Sequence, residues 1–202
     1  GRFLPVGFYY KAFYKPKGAW RYWEKLIRRM AGLGRVDVLS RCDDTDKQYR
    51  FADVTVIGAG PAGMSAALKA GESGAEVLLI DETPVLGGSL NYARYRSDRK
   101  EVDALRDRLV SEVEQHPNIE IMSGAQCSGW FDDNWLSILT KRRLTKLRST
   151  SVVLASGSFE QPAVFRNNDL PGVMLGSAAQ RLIRLFAVKP GRQAVVLTAN
   201  PD

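Results

Sequence analysis

The stretch that decides the fold is "DVTVIGAGPAGMSAALKAGESGAEVLLIDE", Asp53–Glu82. An apolar, strand-like "DVTVI" runs into glycines at 58, 60 and 63, a small-residue helical run follows, and "EVLLI" reads as a second strand. This is a βαβ unit, and each turn residue has a physical task. Gly58 makes the tight turn, Gly60 lets the backbone approach a pyrophosphate, and Gly63 permits close packing of helix on strand. Pro61 suits a first helical turn, where its missing N–H costs little. The helix start then offers unpaired N–H groups and positive dipole to an anion. Asp81 lies 18 residues beyond Gly63, at the end of the second strand. There it can accept hydrogen bonds from an adenosine ribose, and its charge repels a 2′-phosphate. NADP is therefore disfavoured, with Arg94 and Arg96 as the cations that would soften that preference. The motif predicts a dinucleotide site. NAD and FAD share this fingerprint, so the motif does not choose between them.

Outward from this unit, "SDRKEVDALRDRLVSEVEQHP" places Val102, Leu105, Leu109 and Val113 on one helical face and stops at Pro117. "IEIMSG" and "QCSGWFDDNWLSILT" read as short strands, the latter a hairpin turning at Asp132-Asp133-Asn134. "SVVLASG" is a buried-type strand that ends at Gly157, which counts among the candidate cofactor-binding residues. "SAAQRLIRLFAV" is helical, and "QAVVLTA" is a further buried-type strand. Strands alternating with helices imply an α/β fold: a Rossmann-type parallel sheet with a glycine-rich βαβ turn and an antiparallel hairpin insert. The strand ending in Ala-Ser-Gly, together with Gly87-Gly88, favours a flavoprotein-like architecture with two dinucleotide domains, here truncated. The expected division is a basic, aromatic lead with one helix and a polar linker over 1–50 and a dinucleotide-binding half-domain over 51–157. A connecting segment with a helix covers 158–190, and the first strand of a second nucleotide-like domain covers 191–202. The chain opens on Gly1 and stops just past a strand-like run, and it reads as a piece of a longer polypeptide.

Charge is unevenly placed. Residues 1–50 carry 12 Lys/Arg against 5 Asp/Glu, while the remainder carries 17 of each. Nine of the 19 aromatic residues fall within the first 23 positions, so the lead is chemically distinct. In "AWRYWEKLIRRMAGLG", Trp20, Trp23, Ile27 and Met30 recur at helical spacing, with Gly32 or Gly34 placed to cap the end. This lead is read as packing and subunit docking, with no nucleic-acid partner. Apolar runs are of strand length, far short of the roughly 20 residues of a membrane span, so no membrane association is expected. Cys42 and Cys127 form no CxxC pair, and a reduced, cytoplasmic setting is the simpler expectation. His116, the one histidine, reads as a helix-end residue, and the inventory builds no metal site. Disulfide reductases of this architecture carry a cysteine pair just after the double glycine. Here that segment is "GGSLNYARYRS", without cysteine, which excludes thiol chemistry. No residue reads as a catalytic acid, base or nucleophile.

Four segments carry a family resemblance: "FLPVGFYYKAFYKP", "AWRYWEKLIRRMAGLG", "VLLIDETPVLGGSL" and "FRNNDLPGVMLGSAAQRLI". They resemble the alpha (large) subunits of heterotetrameric sarcosine oxidases, over essentially the whole chain. The resemblance implies an alpha subunit with an N-terminal ferredoxin-like domain, this dinucleotide region, and a C-terminal half that handles tetrahydrofolate. It implies partners as well, the beta, gamma and delta subunits, with FAD and a covalent FMN held elsewhere in the complex. Sarcosine would be oxidised at that FAD, giving glycine, hydrogen peroxide and formaldehyde or methylenetetrahydrofolate. In that family the alpha-subunit site holds NAD and is not the place of amine oxidation. Carried over by position, Ala62, Asp81, Glu82, Thr83, Gly88 and Ser89 would line the site. Cys127 and Ser128 would stand at the adenine end, and Thr83 occupies a position often basic in relatives. Two alternatives stay open: an FAD-binding subunit of a related amine or opine dehydrogenase, and a non-catalytic scaffold that holds a nucleotide to order a subunit interface.

Overall fold

A computed structural model of the chain describes residues 16, 18–30, 32, 37–39, 45–95 and 98–198. It divides into two compact units, 1–43 and 44–202. In the first, α1 spans Trp20–Met30. Trp20 and Ile27 of the expected stripe are half-buried, whereas Trp23 and Met30 are exposed. An i,i+4 pair, Glu24 with Arg28 at 3.0 Å, steadies the helix. Gly32 follows it at φ +66°, with its N–H donating to the Arg29 carbonyl, as expected of a C-terminal glycine. The aromatic run before residue 16, Gly34 and Cys42 lie outside the described residues, as does Arg96.

The second unit is a six-stranded sheet in the order β3-β2-β1-β6-β5-β4. Its elements are β1 (Asp46–Ile57), α2 (Pro61–Glu72), β2 (Val77–Asp81), α3 (Arg99–Gln115), β3 (Ile119–Ser123), β4 (Gln126–Phe131), β5 (Trp135–Leu139), β6 (Arg143–Leu154) and α4 (Gly176–Phe186). Strands β3, β2, β1 and β6 run parallel, and β4 and β5 extend the sheet as an antiparallel hairpin. The expected Rossmann-type sheet with a hairpin insert is what forms. Four of the five residues of β2 are buried, as a strand with parallel neighbours on both sides and cover on both faces requires.

Two cores flank this sheet. On one face α2 and α3 pack Met64, Ala67, Leu109 and Val113 against Val56, Val77 and Leu79. On the other, Leu136 and Ile138 of β5 share a second buried cluster with Leu78 and Ile80 of β2, Ala125 and Leu147. β4 lies four positions from β2 in the strand order, yet the Ala125 N–H just before it reaches the Asp81 carbonyl at 2.9 Å, so the sheet curls back on itself.

Several boundaries depart from the sequence expectation. β1 begins at Asp46 and β6 at Arg143, well before Asp53 and Ser151. The early half of β1, up to Arg50, is polar and reads as linker, yet it pairs in register with the early half of β6, from Asp46↔Arg143 onward to Ala52↔Ser149. Arg143 is bonded to Asp46 at 2.7 Å, and the buried Leu147 supplies the inward face. Leu105 is 38% exposed, unlike Val102, Leu109 and Val113. At 3.6 residues per turn it falls roughly 60° off the axis of the other three, at the edge of the stripe. The expected strand in "QAVVLTA" does not form among the described residues, where Val195, Val196 and Leu197 are exposed. A strand needs a neighbour for its backbone groups, and none of β1–β6 pairs with this run. Among the described residues no helix is long and apolar enough to cross a membrane.

Candidate functional site

The glycine turn sits where β1 ends and α2 begins. The Gly58 N–H donates to the Ile80 carbonyl at 2.7 Å, and Gly58 has φ +104°, a left-handed value that favours glycine. A Cβ on Gly58 would collide with the Ala155 carbonyl at the exit of β6, and one on Gly63 with the Gly58 carbonyl. These two glycines are therefore demanded by packing. Gly60 differs: its φ of −75° suits any residue, and a Cβ there would meet nothing within 4 Å. The space it leaves open is the approach that a pyrophosphate needs. No side chain caps the α2 N-terminus, Pro61 has no N–H to satisfy, and Ala62 is exposed, so the positive end of the helix faces that opening. The cradle fits a dinucleotide.

Asp81 does more than wait for a ribose. Its Oδ2 accepts the Ala59 N–H at 2.6 Å, and its Oδ1 accepts the Thr83 N–H at 2.8 Å and lies 2.6 Å from the Thr83 hydroxyl. A carboxylate offers about four lone-pair sites, so it can still receive one from outside. Glu82 is exposed beside it. Gly87 donates its N–H to the Ala59 carbonyl at 2.9 Å, which draws the double glycine on to the first turn. Gly88 faces Gly60 so closely that a Cβ on it would stand 2.9 Å from the Gly60 Cα. Ser89 follows within a short 3₁₀ turn, Gly88–Asn91. Gly58, Gly60, Pro61, Ala62, Gly63, Asp81, Thr83, Gly88 and Ser89 thus gather at the carboxyl ends of β1 and β2.

The remaining expected residues lie at the rim or away from it. Gly157 follows β6 at φ +75° in open space. The Ala125 N–H reaches the Asp81 carbonyl at 2.9 Å, bringing the start of β4 to the end of β2. Cys127, two residues on, packs against the second core and donates weakly to the Gly129 carbonyl at 3.7 Å. Burial pushes its thiol up, away from the reactive thiolate. The Ser128 hydroxyl is 3.0 Å from that of Ser137 on β5. His116 ends α3, where its Nδ1 accepts the Asn118 N–H at 3.2 Å and its ring lies against Gly71. Sequence reasoning missed Ala155, whose small side chain backs Gly63, and Tyr95, bonded to Ser89. The "ASG" run signalled the first only as a strand end, and no spacing rule signals the second.

Residues 52–194 match the family model for pyridine nucleotide-disulphide oxidoreductases, well over half of the chain. The chain belongs to this oxidoreductase family. Within it, the chain is 36% identical to the alpha subunit of a sarcosine oxidase from Rhizobium meliloti (strain 1021), over 98% of this chain and 22% of the relative. It is 31% identical to an opine oxidase subunit from Agrobacterium tumefaciens (strain Ach5), over 75% of this chain and 33% of the relative. Among solved structures it resembles an L-proline dehydrogenase from P. horikoshii at 29% identity and a TM-score of 0.62, covering 76% of this chain and 32% of that one. The chain spans about a fifth of the length of the sarcosine oxidase subunits it matches. The family supports a flavin or nucleotide cofactor, and the glycine turn has the clearance to fit one.

Proposed function

We propose that this chain is the NAD-binding segment of an alpha subunit of a sarcosine oxidase complex. In that complex sarcosine is oxidatively demethylated to glycine, with peroxide and formaldehyde or methylenetetrahydrofolate, at a flavin outside this segment. The observation that carries the reading is the extent of the likeness. It runs over 98% of the chain for the sarcosine oxidase relative, against 75% for the opine oxidase relative. The division at residues 50, 157 and 190, the beta, gamma and delta partners, tetrahydrofolate in another domain and a cytoplasmic setting belong to this proposal.

A bound dinucleotide would supply hydride-accepting chemistry. This chain's own residues bind and orient. The open face of Gly60 and the α2 N-terminus take the pyrophosphate, Asp81 accepts from the ribose, and the Cys127–Ser128 segment borders the adenine. Glu82, Thr83 and Ser89 edge the site, and none of these groups is placed as a proton carrier. The opine oxidase and proline dehydrogenase likenesses favour a second reading, in which the same cradle holds FAD in a related amine or opine dehydrogenase. The test is to express the full-length polypeptide without partner subunits, denature it and identify the released nucleotide by mass spectrometry. NAD supports the first reading, and FAD replaces it with the second.

A further inference from the structure

The loop after the double glycine is tied to the cradle by a contact that the fingerprint does not require. The hydroxyls of Ser89 and Tyr95 lie 2.7 Å apart. A hydroxyl has one hydrogen to donate, and a phosphate oxygen only accepts. When Ser89 donates outward to such an oxygen, the pair has one consistent orientation: the Tyr95 O–H donates to Ser89 Oγ, and the Ser89 O–H points to the anion. In the reverse orientation Ser89 spends its hydrogen on Tyr95 and presents none. We propose that Tyr95 is a positioning residue for the dinucleotide pyrophosphate, acting through Ser89 by fixing the direction of this two-hydroxyl relay. The inference rests on the dinucleotide reading, with Ser89 at the edge of the site.

The loop that leads to Tyr95 is held from two sides. Toward the cradle, the Tyr92 and Ala93 N–H groups both donate to the Ser89 carbonyl, at 3.2 and 2.8 Å. Toward α4, the Arg94 N–H donates to Gln180 Oε1 at 3.3 Å. Beside it, Arg181 donates to the Tyr92 hydroxyl at 2.9 Å with its guanidinium 4.5 Å above the Tyr92 ring. The loop is thus braced between the glycine turn and a helix that follows it by some eighty residues in sequence, as the 86-residue separation of Arg94 and Gln180 records. Bracing of this kind keeps the Tyr95 hydroxyl at hydrogen-bond distance before a ligand arrives.

The test is a double-mutant cycle on the full-length protein, with NAD alone and FAD alone as titrants and binding followed by calorimetry. Tyr95→Phe and Ser89→Ala should each weaken binding of the accepted nucleotide by about three- to tenfold, the range of one hydrogen bond. The double variant should bind no more weakly than Ser89→Ala, because the relay is already cut. A Tyr95 that merely supports the loop would weaken binding equally in both backgrounds, and multiplying effects therefore overturn the proposal. So does a Tyr95→Phe variant that binds as the wild type does. A wild-type protein that binds neither nucleotide overturns the dinucleotide reading itself, and the wild-type titration alone separates that failure from the others.

Discussion

At the carboxyl end of β1, Thr55 and Val56 are fully buried between parallel neighbours on both sides; at its amino end, Tyr49 and Phe51 stand 63% and 70% exposed and pair, among the described residues, with β6 alone. The upper end is governed by backbone clearance. There Gly58, Gly63 and Gly88 are set by atoms that leave no room for a Cβ, and the Thr55 hydroxyl is satisfied by Ser149 at 2.9 Å. The lower end is governed by side chains reaching across strands. Trp135 meets Tyr49 and Phe51 edge-on at 6.4 and 6.3 Å, and Arg148 and Lys146 lie over Trp135 and Tyr49. One strand therefore leads into a turn whose packing glycines tolerate no added atom and carries an extension that depends on graded surface contacts. Failure should be abrupt at the first and gradual at the second.

The largest effect tests the abrupt end. Gly63→Ala should cost about 3 kcal/mol by urea unfolding, because the methyl group enters the Gly58 carbonyl. Gly60→Ala, three residues away, should leave the unfolding midpoint within about 0.5 kcal/mol. Yet it should lower nucleotide occupancy about tenfold or more, by filling the approach to the pyrophosphate. Equal losses of stability in the two variants would erase the distinction between a packing glycine and a binding glycine.

Asp81→Ala comes next. It removes the acceptor of the Ala59 and Thr83 N–H groups and should cost about 1–3 kcal/mol. Asp81→Asn retains one carbonyl acceptor and should cost less. Thermal unfolding monitored with nucleotide content would show both losses together. A loss of nucleotide without loss of stability would confine Asp81 to the ribose.

At the lower end, Trp135→Ala should cost only about 1 kcal/mol, the scale of edge-on aromatic pairs, and leave nucleotide content unchanged. The smallest effect is in the acid limb. A hydrogen bond from the Arg50 guanidinium, aided by its charge, holds the Glu120 carboxyl below its ordinary 4.5. A depressed folded-state value means that the contribution is present above the unfolded value and is lost as the pH falls through the folded one. The Glu120 side chain is 55% exposed, so the contribution stays below about 1 kcal/mol. Glu120→Gln should flatten stability between neutral pH and the acid limb by that amount in a pH series of urea titrations. An unchanged slope would place the acid sensitivity elsewhere.

The cradle was legible because its rules are local. Glycine spacing, a proline at a helix start and an acid at a strand end act within thirty residues, and the structure gathers all of them. The hairpin turn was legible for the same reason: Asp133 and Asn134 adopt φ +57° and +53°, left-handed values that these residue types tolerate. Residues 46–50 read as linker because their polarity hides a pattern that acquires meaning only beside residues 143–147. Leu105 was placed on the buried stripe by spacing alone, although the width of the covering sheet decides what lies at its edge.

The sequence by itself determined the order of strands and helices from β1 to α4, the position of the glycine turn and the absence of a thiol pair behind it. Those features depend on residues that are neighbours in the chain. Tertiary structure alone decided how far β1 and β6 extend, since Arg143 meets Asp46 across a separation of 97 residues. It also decided that the sheet curls to bring the start of β4 to the end of β2, that Asp81 braces Ala59, and that the Tyr95 hydroxyl meets that of Ser89. Each of these depends on which distant group arrives within hydrogen-bond or van der Waals reach, and a pattern read along the chain contains no distances across it.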